Sequence, residues 1–159
     1  MAISGQKSKG EIYAYLQSLY LAVLSTASKD GLPYAASIYF ITDPELNFYF
    51  LTKSDTKKSL NLEENNNAAI TTIDPSAPKI IQATGVASEL EDPKQYHTML
   101  ARISEANAQK KEFYWPPPLS KVDSSGDLVL YKFIPKWLRF ADFSEETSVN
   151  IFYKVIPTT

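Results

Sequence analysis

The sequence predicts a mainly β fold with helices inserted between strands (α+β), in which six to eight antiparallel strands close, or nearly close, into a barrel. Three observations predict it. Runs rich in Val, Ile, Tyr, Phe and Thr recur between turn clusters along most of the chain. The turn clusters, such as Lys29-Asp30-Gly31 and Asp43-Pro44-Glu45-Leu46-Asn47, are short enough to join neighbouring antiparallel strands. Helical periodicity is confined to brief segments around Leu16, around Leu60, and a longer one around Leu100. With 159 residues, 44% of them hydrophobic, the chain can build one domain with its own core, and nothing in its composition divides it.

The elements follow in order. Ser8-Lys9-Gly10-Glu11 has the form of a capping box, and Ile12, Tyr15, Leu16 and Leu19 continue it at helical spacing. Residues 21–27 and 33–42 read as a hairpin around Gly31, which supplies the positive φ of the turn. A third strand begins at Phe48 and stops at Thr52, where hydroxyls and amines replace aromatic residues. A short helix with Leu60 and Leu62 follows, its first turn capped by Ser54 or Asp55, and residues 63–67 mark its exit. Residues 68–73 and 79–90 are the next strands; Gly85 within the second marks a bulge or a close approach to the backbone. Asp92-Pro93 starts an amphipathic helix to about residue 109, with Tyr96, Met99, Leu100, Ile103 and Ala106 along one stripe. Phe113-Tyr114-Trp115-Pro116-Pro117-Pro118 is an ordered loop or lid whose aromatics need a pocket or a partner chain. Residues 127–134 and 136–143 read as two strands separated by Pro135, and 147–156 as a last one. Both faces of 128–133 are apolar, which demands cover on both sides.

Composition excludes several classes of function. A net charge of −2 gives no support to nucleic-acid binding. Without cysteine there are no disulfides, thiolate metal sites or cysteine nucleophiles, and the single histidine, His97, argues against metal and triad chemistry. The first ten residues hold no apolar export signal, and no run of apolar residues could span a bilayer, so a cytoplasmic location is expected.

The stretch with chemical content is FYFLTKSDTKKSLNL, from Phe48 to Leu62. A strand, a polar turn and a helix start bring backbone N–H groups, hydroxyls and the ammonium groups of Lys57 and Lys58 towards one volume, which suits a phosphate. Lysines in the first turn of a helix sit against the positive end of its dipole, so they are poorly placed unless an anion joins them. Lys57 and Lys58 cannot both point the same way from a helix.

The order of these elements resembles the pyridoxamine 5′-phosphate oxidase-like FMN-binding split β-barrels. The likeness rests on LAVLSTASKDGLPYAASIYF from Leu21, NFYFLTKSDTKKSLNLEENNNAAI from Asn47 and IQATGVASEL from Ile81. It implies that Thr52, Thr56, Lys57 and Lys58 hold the FMN phosphate, that Ser37, Ile38 and Tyr39 run along the isoalloxazine, and that Gln82 hydrogen-bonds the ring. It also implies a homodimer with the flavin between subunits, where Tyr114, Trp115 or Trp137 could line the ring's open face. The phosphate turn has lysines where better matched members often carry arginine, and the substrate residues of the vitamin B6 oxidases have no counterpart near the C-terminus. The expected function is an FMN oxidoreductase moving electrons between a reduced nicotinamide and a small acceptor. The alternatives are a flavin-binding module without turnover, for storage, sensing or stress protection, and a haem-binding or haem-processing barrel.

Overall fold

The structure, a computed structural model, describes residues 8–108, 127–144 and 151–155. It contains helices α1 (Lys9–Leu16), α2 (Lys57–Glu64) and α3 (Pro93–Ala108) and strands β1 (Leu21–Ala27), β2 (Pro33–Tyr39), β3 (Ile41–Thr42), β4 (Phe48–Lys53), β5 (Asn67–Thr72), β6 (Lys79–Glu89), β7 (Leu128–Asp142) and β8 (Ile151–Val155). All strands join one antiparallel sheet in the order β2-β1-β5-β6-β7-β4-β3, with β8 also paired to β7. The expected mainly β split barrel with inserted helices is therefore what forms.

The first and last strands of that path, β2 and β3, are consecutive in the chain and separated only by Phe40. The sheet must curl until its two ends meet. Residues 33–42, expected as one strand, change partners here: the Phe40 amide still donates to the Tyr20 carbonyl beside β1 at 3.1 Å, whereas Ile41 already pairs with Tyr49 of β4. Among the described residues no ladder joins β2 to β4, so the barrel keeps a seam between them.

Strand β7 corrects a second expectation, because it runs unbroken through Pro135. Its register against β6 slips between Thr84, opposite Trp137, and Gly85, opposite Pro135, leaving Lys136 as the extra residue of a bulge. Proline lacks a donor, and a bulge is where a sheet tolerates that. Gly85 is the close approach expected there: a Cβ on it would lie 2.1 Å from the Ile134 carbonyl oxygen.

The core fills both faces of β7. Inside the barrel Phe48 meets Phe133 edge-on at 5.9 Å and Phe50 stacks on Tyr131 at 5.4 Å, and α1 adds Ile12 and Leu16. Outside, Leu100 and Ile103 of α3 pack on Tyr49, Leu51 and Leu130, the cover the doubly apolar segment needs; Ala106 of the expected stripe is exposed. Both helix starts obey their sequence signals. Ser8 and Glu11 form the complete capping box, and the Asp92 carboxylate accepts from the Gln95 amide at 2.9 Å. In the turn before β4, the Asp43 carboxylate accepts from the Glu45 and Asn47 amides, the Asn47 side chain and the Tyr49 hydroxyl, which holds buried Leu46 at φ 65.

A polar tie fastens α1 to the β5–β6 turn. The Tyr15 hydroxyl donates to Asp74 Oδ2 at 2.7 Å. Burial, and then that carboxylate, push the Tyr15 hydroxyl well above the usual tyrosine range. Hydrogen bonds from the Ser76 hydroxyl, the Tyr15 hydroxyl and the Ser76 amide hold the Asp74 carboxyl below its ordinary 3.8.

Two outcomes test this packing. Gly85→Ala forces a Cβ into the backbone of β7 and should lower unfolding stability by about 3 kcal/mol, read as an earlier urea midpoint at unchanged slope. A carboxylate with a depressed folded pKa stabilises fully above its ordinary value and loses that contribution as pH falls through the folded one. Asp74→Asn should therefore give a flatter stability profile below about pH 4 than the parent, measured by thermal melts across acid pH.

Candidate functional site

The turn between β4 and α2 is closed by its own hydrogen bonds. The Thr56 amide donates to the Lys53 carbonyl at 3.3 Å, so Thr56, not Ser54 or Asp55, is the last residue before the helix; Asp55 points into solvent. The Thr56 hydroxyl also donates to the Lys53 carbonyl, at 2.9 Å. Its single proton is thereby spent, so in the 3.1 Å contact between Thr52 and Thr56 the Thr52 hydroxyl is the donor. A relay runs from Thr52 to Thr56 to the Lys53 carbonyl. No side chain caps α2, and its first turn holds no acidic residue, so its N–H groups present positive potential unopposed.

The two lysines separate. Lys57 is exposed, whereas Lys58 is half-buried, and burial lowers its pKa from the ordinary 10.5. A partly desolvated ammonium lying against a helix N-terminus is electrostatically unsatisfied, and an anion relieves both penalties at once.

Across the seam, β2 passes this turn with Ser37, Ile38 and Tyr39. Together with Leu51, Thr52 and Lys53 of β4 and Thr56 and Lys58 of α2 they line a cavity of about 210 Å³. Six of the residues singled out from the sequence, Ser37, Ile38, Tyr39, Thr52, Thr56 and Lys58, thus meet in one place. Lys57 does not line it. Gln82 and Trp137 lie elsewhere: Ile81 and Ala83 face the barrel interior, as does Leu138, so Gln82 and Trp137 occupy the outward faces of β6 and β7. Trp115 and Tyr114, with the whole segment 113–118, lie outside the described residues. His97 is exposed on α3. Among the described residues no group of three or more His, Asp or Glu side chains is placed to hold a metal ion, and no helix is long and apolar enough to cross a membrane.

The sequence reading missed what aims Lys58 at the cavity. Helix α2 is held by two buried polar pairs: Ser59 Oγ lies 2.8 Å from the Tyr131 hydroxyl, and Asn61 donates to Thr26 Oγ1 at 3.1 Å. The available signal was the polar Asn61 between Leu60 and Leu62, but its partners are remote in sequence.

The family model for pyridoxamine 5′-phosphate oxidase matches residues 8–141. The chain belongs to that family. No curated protein matches the sequence. Among solved structures, general stress protein 26 from Bacillus anthracis is similar at 23% identity and a TM-score of 0.60, over 83% of this chain and 92% of that one. HutZ, described as the haem storage protein of Vibrio cholerae, is similar at 20% identity and a TM-score of 0.67, over 87% and 94% of the two chains. An F420 reductase gives 21% and 0.60, over 85% and 96%. At these identities the likeness is one of fold.

Thr26→Val removes the acceptor and leaves the Asn61 amide buried without its partner, which should cost about 1–3 kcal/mol. Adding Asn61→Leu should return part of that loss, giving a non-additive double-mutant cycle by urea denaturation.

Proposed function

We propose that the chain binds FMN in the seam, with the phosphate at the start of α2, and that as a homodimer it moves electrons between a reduced nicotinamide and a small acceptor. The observation that carries this reading is the meeting of Ser37, Ile38, Tyr39, Thr52, Thr56 and Lys58 around one cavity. The donor set fits a phosphate. Lys58 balances charge, the uncapped first turn of α2 offers N–H groups, and the nearby Asp55 carboxylate turns away into solvent. Strand β2 is the first of the sheet, so its second edge can offer backbone amides and carbonyls to a flat heterocycle.

When bound, FMN supplies the hydride and single-electron chemistry. The protein's own part is to hold the phosphate by charge and backbone, to orient the ring along β2, and to exclude water from the seam. No side-chain acid or base is required for that role. Gln82 and Trp137 face outward in this chain, so they take part only if a second copy brings them to the ring, as the homodimer that the family resemblance implies would allow. Among the described residues α3 packs on β4 and the first half of β7.

Titration of purified protein with FMN should give saturable binding, and at 100 times Kd should stabilise the fold by about 2.7 kcal/mol. Lys58→Ala should weaken binding roughly ten- to a hundredfold and Lys57→Ala by less than about threefold, because only the first removes a charge from the cavity. Bound phosphate favours the ammonium form, so affinity should fall as alkaline pH deprotonates Lys58, beginning below the 10.5 of a free lysine. Absence of any thermal shift or absorbance change with FMN would sink the proposal. Reduction of the bound flavin by NADH or NADPH separates an oxidoreductase from a module that only stores or senses FMN.

A further inference from the structure

We propose that a second cavity, between the end of α1 and α3, binds a small flat-ringed molecule carrying one oxyanion, as an ancillary site walled off from the cofactor seam. The cavity measures about 380 Å³. Leu19 and Tyr20 give it an apolar and an aromatic wall, Gln17 and Ser18 add polar groups, and Arg102 and Glu105 of α3 contribute its charges.

Arg102 is one of two arginines in the chain and is half-buried. One terminal nitrogen donates to the Thr42 carbonyl at 2.9 Å and the other lies 3.4 Å from the Met99 sulfur, so the guanidinium plane is fixed. A guanidinium has five N–H donors, and these contacts leave most of them to spare. Among the described residues no carboxylate forms an ion pair with it. Asp43 and Arg102 both act on the Tyr49 hydroxyl, but the Asp43 carboxylate is already occupied by four donors, three of them from its own turn. A half-buried cation without a counter-ion is costly, and a carboxylate or phosphate meeting the planar fork offsets that cost.

The walls specify the rest of the ligand. Tyr20 stacks on Tyr39 with ring centroids 6.1 Å apart and planes within 9°. Tyr20 lines this cavity and Tyr39 lines the seam cavity, so one aromatic pair is the partition between them. A flat ligand against Tyr20 is thus separated by one ring pair from the strand along which FMN would lie, a step that rests on the function proposed above, so it could occupy its site while FMN occupies the seam. Glu105 sits one helical turn from Arg102 and is exposed. Its carboxylate repels a second negative charge and favours a monoanion over a dianion.

The test uses the full chain without FMN and three compounds: benzoate, phenyl phosphate and the neutral benzamide. Benzoate should bind by calorimetry or ligand-detected NMR, and benzamide at least about tenfold more weakly, the loss expected for one charge-assisted contact. Arg102→Gln should weaken benzoate roughly ten- to a hundredfold, with Arg102→Lys between the two because it keeps the charge without the fork. Glu105→Gln, at an exposed position, should strengthen phenyl phosphate more than benzoate. Failure of both anions to bind the parent protein, or benzoate affinity unchanged in Arg102→Gln, overturns the proposal. Should Arg102→Gln not fold, an unaltered phenyl phosphate to benzoate ratio in Glu105→Gln overturns it equally. FMN titrated in parallel keeps the two readings apart: loss of benzoate with FMN binding retained removes this site alone, and benzoate binding without FMN binding removes the cofactor alone.

Discussion

The constraint behind the whole molecule is covalent: the strands at opposite ends of the sheet are joined through a single residue, Phe40. A sheet whose extremities are tied this closely cannot lie open, and its twist takes up the closure. Yet Phe40 also hands the chain from β1 to β4, so β2 and β4 approach without sharing a ladder. The cavity between them follows from that arrangement. Its polar lining follows from where β4 stops, because Thr52 and Lys53 are the first residues past the run of Phe48 to Leu51 and both line the cavity.

Helix α2 shows how such a site is kept in register. It is only eight residues long and carries two buried polar side chains, Ser59 and Asn61, where hydrophobic ones would pack as well or better. Buried hydrogen bonds add little net stability, but leaving either partner unpaired is expensive, so they select one rotation of the helix over its neighbours. Rotation decides which of two adjacent lysines faces the seam. The specificity of the Ser59–Tyr131 and Asn61–Thr26 contacts is thereby transmitted to Lys58.

Local signals were readable from the sequence, and choices made at a distance were not. The capping box at Ser8, the cap at Asp92, the positive φ of Gly31 and the bulge at Gly85 all depend on residues within a few positions of each other or on the demands of one backbone site. Phe40 breaks a strand that reads as continuous because the change of partner involves Tyr20 and Tyr49, which no local pattern reports. Pro135 reads as a break, but opposite Gly85 the sheet absorbs it as a bulge. At the site, composition identified the hydroxyls and amines. It could not tell Lys57 from Lys58, nor foresee that the Thr56 hydroxyl would turn back on Lys53. Arg102 has no assigned role in the sequence for a similar reason: it is a polar position on an amphipathic helix until the folded chain makes it a cavity wall.

The relay from Thr52 through Thr56 to the Lys53 carbonyl carries a consequence for discrimination. Any anion recruiting those hydroxyls must first break bonds the turn already enjoys, at about 0.5–1.5 kcal/mol for each. A free inorganic ion has only its own few contacts with which to meet that toll. A ligand anchored also through a polyol and a ring, as in the function proposed above, would meet it from elsewhere, and the turn would then screen out the abundant simple anions of a cell in favour of a rarer, longer molecule.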